Sequence, residues 1–280
     1  MSNIAATGTM VTTKHAITRV RHEPRRRLLT VQRVERITPN MARVTLGGDL
    51  TGFVSSAYDD HVKVFFPLPG QNAPTISEPG SIGAADIEDV RRSPGRDYTP
   101  RRYDVDRSEL VIDFALHDAG PATDWAVAAE PGQQLSIGGP RGSFVVPDDF
   151  DWYLFIGDET ALPAIGRRLE ELRADTKAIV VAAVAGSEEE QEFESRAEVE
   201  TIWVRRPLSR AEDPAPLLDA VRALTLPNGG EGYAWAAGES QTAKLMRRYL
   251  IDDCRFNKAW VKAAGYWKRG AVSIHETHND

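Results

Sequence analysis

The residues whose side chains are best suited to binding a cofactor are Arg96, Asp97, Tyr98 and Thr99. They are expected to form an extended stretch. Alternate side chains of a strand share a face, so Arg96 and Tyr98 are expected on one face and Thr99 on the other. A guanidinium suits a pyrophosphate, a phenol ring can stack on a flavin, and a hydroxyl can donate to the flavin's reactive edge. Taken alone, the pattern also fits an ordinary barrel strand with an exposed Arg and a half-buried Tyr.

A second strand over residues 110–117 ends in His117 and is followed by the turn Asp118-Ala119-Gly120-Pro121. Thr123 is predicted to cap a short helix near 124–129, whose free backbone amides would face a second part of the same pyrophosphate. A glycine-rich turn follows at 138–144, with the sequence GGPRGSF.

The composition is that of a soluble globular protein: 280 residues, of which 41% are hydrophobic and 27% charged. No apolar run is as long as a membrane span, and the N-terminus lacks the apolar core of a signal peptide, so a cytoplasmic protein without membrane insertion is expected. The single cysteine, Cys254, excludes a disulfide framework within the chain. The net charge of −7 argues against nucleic-acid binding, although arginines cluster at 25–27, 91–102 and 205–206 and could attract a small anion.

The patterning predicts two domains. Residues 1–24 are polar without a period and are predicted to be a flexible tail. Residues 25–147 alternate in the manner of antiparallel strands with one short helix, which predicts a β-barrel, and 69–94 form a long loop that suggests a functional flap. Residues 148–280 alternate apolar strands with amphipathic helices, which predicts a doubly wound parallel α/β domain.

Two strand ends of the second domain carry similar turns. Gly157-Asp158-Glu159-Thr160 follows its first strand, and Gly238-Glu239 follows a later one. Ligands collect at the carboxyl ends of strands in such sheets, so a nicotinamide cofactor is predicted here, with ordinary helix caps as the alternative. Arg205-Arg206 follow another strand and could bind the 2′-phosphate of NADPH, or be a surface pair. The choice between NADPH and NADH stays open, with a slight preference for NADPH.

The ordered combination of RDYT, a strand ending in His117, DAGPAT and GGPRGSF resembles the siderophore-interacting proteins. These are flavin-dependent ferric-siderophore reductases of the ferredoxin-reductase-like superfamily. The resemblance spans roughly residues 27 to 270 and continues in DDHVK at 59–63, GDETALP at 157–163, AGE at 237–239 and GYWKRG at 265–270. It implies an N-terminal antiparallel FAD-binding β-barrel followed by a nicotinamide-binding α/β domain. In this superfamily the absence of a G-x-G-x-x-G motif is normal.

The resemblance also implies roles for individual residues. Arg96 would hold the FAD pyrophosphate, Tyr98 would stack on the isoalloxazine, and Thr99 would lie near its N5. The full set assigned to FAD is Arg96, Asp97, Tyr98, Thr99, Asp113, Phe114, His117, Gly120, Pro121, Ala122, Thr123, Gly142 and Ser143. The set assigned to the nicotinamide and the flavin face is Asp158, Glu159, Thr160, Arg205, Arg206, Gly238, Glu239 and Trp267. Trp267 would cover the flavin, with simple packing as its alternative.

The implied activity is transfer of electrons from NAD(P)H through FAD to Fe(III) in a bound siderophore, which releases Fe(II). Lys63, Arg141 and Lys268 would form a basic pocket for the anionic ferric siderophore, and no protein metal ligands are expected. Two alternatives remain: a flavin reductase that uses ferredoxin or another acceptor, with ferredoxin also conceivable as the electron donor, and a binding protein that holds a ferric siderophore without turnover. The turns at 157–160 and 238–239 argue against the pure binder.

Overall fold

Antiparallel strands form the first half of the chain. The computed structural model describes residues 14–74, 93–116, 120–270 and 276–278. The strands of this sheet are β2 (Arg26–Thr38), β3 (Met41–Gly47), β4 (Val62–Phe65), β5 (Gly95–Tyr98), β6 (Arg102–Asp104), β7 (Glu109–Ala115) and β8 (Gln134–Gly138). They follow the order β5-β4-β8-β2-β3-β7-β6. One face closes over a core that includes Leu29, Val44 and Ile112, each 0% exposed, as expected for a strand with one apolar face.

A short helix packs against this barrel. α1 (Pro121–Val127) begins with Pro121 at its first turn and has Gly120 as its N-cap, without a side-chain cap. The prediction that Thr123 caps the helix is therefore wrong. Proline's fixed φ suits the first helical position, so the helix starts earlier than predicted and Thr123 lies inside it. Most of the predicted flap at 69–94, namely 75–92, lies outside the described residues, as does His117.

The N-terminal segment belongs to the fold from Lys14 onward. Strand β1 (Thr18–Arg21) pairs antiparallel with β9 (Gly142–Val145), with Arg21 opposite Gly142. The prediction of a flexible tail over 1–24 is thus wrong for residues 14–24, while 1–13 lie outside the described residues. Gly142 makes this pairing possible, because a Cβ at that position would come within 2.6 Å of the Val20 carbonyl oxygen. A single polar strand gives no local signal of such a distant partner.

The second half of the chain is a doubly wound sheet, as predicted. Its strands are β10 (Trp152–Gly157), β11 (Lys177–Val184), β12 (Glu198–Arg205), β13 (Gly232–Glu239), β14 (Val261–Trp267) and β15 (Glu276–His278). Their order is β12-β11-β10-β13-β14-β15, with the first five parallel and β15 antiparallel at the edge. The helices are α2 (Leu162–Glu171), α3 (Ala215–Arg222) and α4 (Ser240–Asp252).

Helices cover both faces of this parallel sheet. α2 packs on one face together with barrel residues such as Tyr58, and α3 and α4 pack on the other. Strands β10 and β13 are buried along their whole length, which explains their continuous apolar sequences. Within the described ranges, no helix is long and apolar enough to cross a membrane.

Buried polar contacts join the two sheets. The guanidinium of Arg167, on α2, donates to the carbonyl and hydroxyl oxygens of Ser55 and to the carbonyl of Pro100, at 2.8 to 2.9 Å. Asp59, in the loop before β4, pairs with Lys262 at 2.5 Å and accepts a hydrogen bond from the indole of Trp235 at 3.3 Å. These contacts fix how the strand ends of one sheet face the other.

The N-terminal segment is expected to depend on His15. Its side chain is 1% exposed, its ring nitrogens lie 2.7 Å from Asp149 and 3.0 Å from Glu231, and its ring stacks on Phe150 at 3.9 Å. Hydrogen bonds to charged groups contribute about 1.5–3 kcal/mol, so His15→Ala should lower the free energy of unfolding by about 2 kcal/mol and open residues 14–24 to proteases. Urea unfolding and limited proteolysis measure both effects.

A control for this variant is Arg33→Ala, since Arg33 is exposed on β2 and pairs with Glu35. It should change stability by less than about 0.5 kcal/mol. If His15→Ala kept the wild-type free energy of unfolding and the wild-type resistance to proteases, the pairing of β1 alone would hold the segment.

Candidate functional site

The edge strand β5 presents the first group of predicted residues. Arg96 and Tyr98 lie opposite Val64 and Val62 of β4 and share their face, as the alternation predicts. The Tyr98 ring contacts that of Phe114, with centroids 4.5 Å apart. Burial raises the pKa of the Tyr98 phenol, and Arg96 opposes this only in part. The phenol therefore stays neutral at physiological pH and can act as a packing surface and hydrogen-bond donor.

Helix α1 is held beside this strand by an aromatic cluster. Trp125 of α1 lies 5.6 Å from Phe114 and 5.5 Å from Phe66, and both of these rings also contact Tyr98. The cluster thus holds α1, which begins with Pro121, Ala122 and Thr123 after Gly120, against the barrel beside Tyr98. A helix N-terminus and a guanidinium such as that of Arg96 are both groups that suit a pyrophosphate.

The other face of β5 carries an ion pair. Asp97 lies opposite Lys63 of β4, and their charged groups are 2.9 Å apart. On its other side Lys63 pairs in register with Gly138, which begins the turn that carries Arg141. Lys63 therefore lies beside the strand that leads into the turn carrying Arg141, the second predicted substrate residue. The third, Lys268, is exposed directly after β14.

Several residues assigned to FAD also have structural partners. The carboxylate of Asp113 accepts two hydrogen bonds from Arg43 at 2.7 Å, and Phe114 lies in the barrel core. Ser143, next to Gly142, donates to the buried carboxylate of Asp60 at 2.6 Å and lies 2.7 Å from the ring of His22. Burial raises the pKa of Asp60, and the hydrogen bond from Ser143 opposes the rise.

The carboxylate of Asp158 connects three chain segments at the C-terminal edge of the parallel sheet. One oxygen accepts the backbone N–H and the hydroxyl of Thr160, at 2.9 and 2.5 Å. The other accepts the Glu239 backbone N–H at 2.9 Å and the indole N–H of Trp267 at 2.7 Å. Asp158 is 4% exposed, so its side chain is committed to this junction and fixes the position of Trp267.

The turn at Gly238-Glu239 depends on the same junction. Gly238 has φ 138°, and a Cβ there would lie 2.4 Å from the Asp158 carboxylate. The Glu239 side chain accepts the backbone N–H groups of Gln241 and Thr242, at 2.7 and 2.9 Å, and so caps α4. The helix-cap alternative thus describes the Glu239 side chain, and glycine at position 238 is required by its positive φ and by the close approach of Asp158.

The two consecutive arginines after β12 differ in environment. Arg206 is 4% exposed and its guanidinium nitrogens lie 3.3 and 3.1 Å from the Glu159 carboxylate oxygens. Arg205 is exposed and pairs with Glu190 at 2.6 Å. Burial raises the pKa of Glu159 to about 7, Asp158 adds to the rise, and Arg206 opposes it. Glu159 therefore neutralises the charge of Arg206 only when it has lost its proton.

The end of β14 meets the end of β5. Burial raises the pKa of Tyr266, nearby Asp59 adds to the rise, and the neighbouring hydroxyl of Thr99 opposes it. Thr99, predicted to lie near the flavin's reactive edge, thus adjoins the residue that precedes Trp267. One predicted FAD residue of the barrel and the segment that carries Trp267 are therefore neighbours.

The chain is similar in sequence to proteins of one known family. A family model described as Siderophore-interacting protein matches residues 150–270, and one described as Siderophore-interacting FAD-binding domain matches residues 30–144. An Escherichia coli protein named NADPH-dependent ferric-chelate reductase is 39% identical over 256 residues, which cover 89% of this chain and 95% of that protein. The chain belongs to the siderophore-interacting protein family. The family expectation from the sequence is confirmed.

Other relatives agree with this family membership. The Vibrio cholerae protein named Ferric vibriobactin reductase ViuB is 33% identical, with 87% of this chain and 90% of that protein covered. A crystal structure of a siderophore utilization protein from T. fusca superposes with a TM-score of 0.82 at 36% identity and covers 92% of this chain and 98% of that one. The predicted arrangement of an FAD-binding barrel followed by an α/β domain is confirmed. Within the described ranges, no group of three His, Cys, Asp or Glu residues could hold a metal ion.

Some of these residues could not be found from motifs. His22, Asp60 and Arg43 contact predicted site residues, yet they are distant from them in sequence or lie outside the motifs that were assigned roles. Asp60 stands within DDHVK, so its position in a motif was the one available signal.

Asp158→Asn is expected to loosen Trp267. An amide has one acceptor oxygen, so it leaves buried N–H groups of the junction unpaired, and each costs about 1–3 kcal/mol. The variant should lose about 2–3 kcal/mol of stability and show red-shifted, more quenchable tryptophan fluorescence. Asp219→Asn, at an exposed position of α3, is the matched control. Unchanged emission and stability would mean that Trp267 does not need this acceptor.

Because the pKa of Glu159 is raised, we expect the stability of the protein to depend on pH. Its ordinary pKa is 4.5 and its folded-state pKa is about 7. Between these values the folded protein keeps a proton that the unfolded chain has lost, so Glu159 makes stability fall as the pH rises through this window. Glu159→Gln should reduce this fall when Tm is measured from pH 4.5 to 7. Glu200→Gln, on the exposed side of β12, should retain the wild-type slope; equal slopes in all three proteins would contradict the assignment.

Proposed function

We propose that this protein is an FAD-dependent ferric-siderophore reductase that takes electrons from NAD(P)H and acts in the cytoplasm. The observation that carries the proposal is the contact between the barrel and β14: Lys262 of β14 pairs with Asp59 of the barrel, and Tyr266, which precedes Trp267, neighbours Thr99 after β5. An enzyme that passes electrons between two cofactors needs their binding residues at one place. The names of the relatives, NADPH-dependent ferric-chelate reductase and Ferric vibriobactin reductase, support the reaction.

The described residues fit an FAD group. Arg96 and the N-terminus of α1 offer positive charge for the pyrophosphate, and Tyr98 offers a neutral ring on the same face. When bound, FAD accepts a hydride from the nicotinamide and delivers single electrons to the iron. Thr99 would donate near the reactive edge, and Trp267, held by Asp158, would cover the flavin face. No acid or base from the protein is needed for outer-sphere transfer, so the protein's part is binding and orientation.

Siderophore-bound iron brings its own oxygen ligands. The protein therefore needs cations near the flavin, and Lys63, Arg141 and Lys268 are proposed for this role. Lys63 is paired with Asp97, so part of its charge is already balanced, whereas Lys268 is exposed. Reduction weakens chelation, because Fe(II) binds hard oxygen ligands less tightly than Fe(III). The iron is thus released to the cell.

The electron donor is proposed to be NADPH or NADH, with ferredoxin as the alternative. Recognition of a 2′-phosphate by Arg205 or Arg206 would favour NADPH, the donor in the name of the Escherichia coli relative. The exposed Arg205 is the better placed of the two, because Arg206 is enclosed with Glu159.

The visible spectrum of the FAD-loaded protein tests the proposal. Under anaerobic conditions NADPH or NADH should bleach the flavin bands, and a ferric siderophore should restore them. If reduced ferredoxin reduces the flavin and neither nucleotide does, the electron donor is ferredoxin. A protein that takes up no FAD, or whose reduced flavin is not reoxidised by any ferric chelate, would rule out the reductase.

Removal of Lys63 or Lys268 should weaken binding of the ferric siderophore more than binding of the flavin. Lys63→Ala or Lys268→Ala is expected to raise KM for an anionic ferric siderophore about tenfold, since one charge-assisted contact is worth about 1.4 kcal/mol or more. The flavin content should stay the same. Lys177→Ala, at the exposed start of β11, is the control. Loss of flavin instead of loss of acceptor affinity would contradict the role.

A further inference from the structure

A basic cleft opens between the N-terminal segment and the barrel. Its volume is about 230 Å³. It lies where β1 ends, β2 begins and the turn between β8 and β9 passes. Its wall includes Arg21, His22, Arg25, Arg27, Gly139 and Pro140. None of these residues was assigned a role by the motifs, although Pro140 directly precedes Arg141.

Positive charge dominates this cleft. Three guanidinium groups face a single lining carboxylate, Glu23, which is 80% exposed and 3.4 Å from Arg25. Arg27 is 9% exposed, and its pKa is lowered by burial and by the charge of Arg25, with Asp49 opposing. Like charges gathered in a partly buried cleft repel each other, and a bound anion relieves that repulsion.

Arg27 and His22 of the cleft are held by specific contacts. Arg27 donates to the Thr51 carbonyl at 3.0 Å, and its guanidinium lies 5.3 Å from the Phe53 ring centroid. The backbone N–H of His22 donates to the carbonyl of Arg141 at 3.0 Å, and its ring is fixed by Ser143. The cleft is thus formed before a ligand arrives, which lowers the entropy cost of binding.

We infer that this cleft binds a small oxyanion with two or more negative charges, such as phosphate or a di- or tricarboxylate. Drug-sized ligands occupy pockets of about 300–1,000 Å³, so this smaller cleft suits an ion of few heavy atoms. Guanidinium groups match carboxylate and phosphate oxygens with paired hydrogen bonds. Such an oxyanion is either a free ion or the carboxylate arm of a chelate held at the neighbouring Arg141. Its binding involves no electron transfer, so it is measurable whether or not the protein is a reductase.

Calorimetric titration tests the inference. Citrate and inorganic phosphate are titrated into the full-length, FAD-loaded protein, with ionic strength held constant by chloride. One saturable site is expected. Arg21→Gln and Arg25→Gln, both exposed and neither among the residues assigned to a cofactor, should each weaken binding about tenfold, the effect of one charge-assisted contact.

Arg33→Gln is the matched control, since it removes the same charge from the exposed face of β2. It should bind both anions as the wild type does. The absence of saturable binding above the chloride background would overturn the inference. So would unchanged binding in the two cleft variants, or displacement of NADPH by the anion, which would place the anion in the cofactor site.

Acceptor kinetics distinguish the two sources of the oxyanion. If the oxyanion is the arm of a chelate, free citrate should be a competitive inhibitor of ferric citrate reduction. Its inhibition constant should equal the dissociation constant measured by calorimetry. Arg25→Gln should then raise KM for ferric citrate and leave KM for a carboxylate-free ferric hydroxamate unchanged. If it is a free ion, citrate and phosphate should bind with the same tenfold dependence on Arg25 and leave both KM values unchanged. Each result supports the cleft as an oxyanion site.

Discussion

The fixed junction between the two sheets is the constraint on which the rest of this molecule depends. Asp59 of the barrel is 8% exposed and reaches both Lys262 and Trp235 of the parallel sheet. Arg167 reaches in the opposite direction, from α2 to Ser55 and Pro100. Buried charges with these partners are costly to separate, because each would be left unpaired. The β5 and β14 ends are therefore held in one relative position, as electron transfer between two cofactors requires.

Polar side chains at the sheet edge mostly satisfy one another. Asp158 holds Thr160, Glu239 and Trp267, Glu239 caps α4, and Glu159 encloses Arg206. The first backbone N–H groups of α4 are already capped by Glu239, and Gly238 packs closely on Asp158. The acidic residues at these strand ends therefore act mainly by positioning other groups, among them the part-exposed ring of Trp267.

Basic residues are divided between two regions that adjoin at one turn. Lys63 lies beside Gly138 on the barrel surface, and the arginine-lined cleft lies on the other side of Gly139 and Pro140. With a net charge of −7, the protein as a whole repels anions, so these local patches decide where an anion binds. The docking of β1 on β9 is what completes the second patch, because it brings Arg21 and His22 to the barrel.

The sequence by itself determined the two-part architecture, the order of the α-helices and of most strands, and the family. Alternation of period two and continuous apolar runs are local signals, and the family motifs lie at strand ends that these signals place. Tertiary structure alone decided the docking of residues 14–24, the start of α1 at Pro121, the partner of Arg206 and the network of Ser143 with Asp60 and His22. These features depend on contacts between residues more than 40 positions apart, or on which of several possible caps and partners is closest in space. Local patterns do not encode such choices, since the free energy that decides them arises only when the chain has folded.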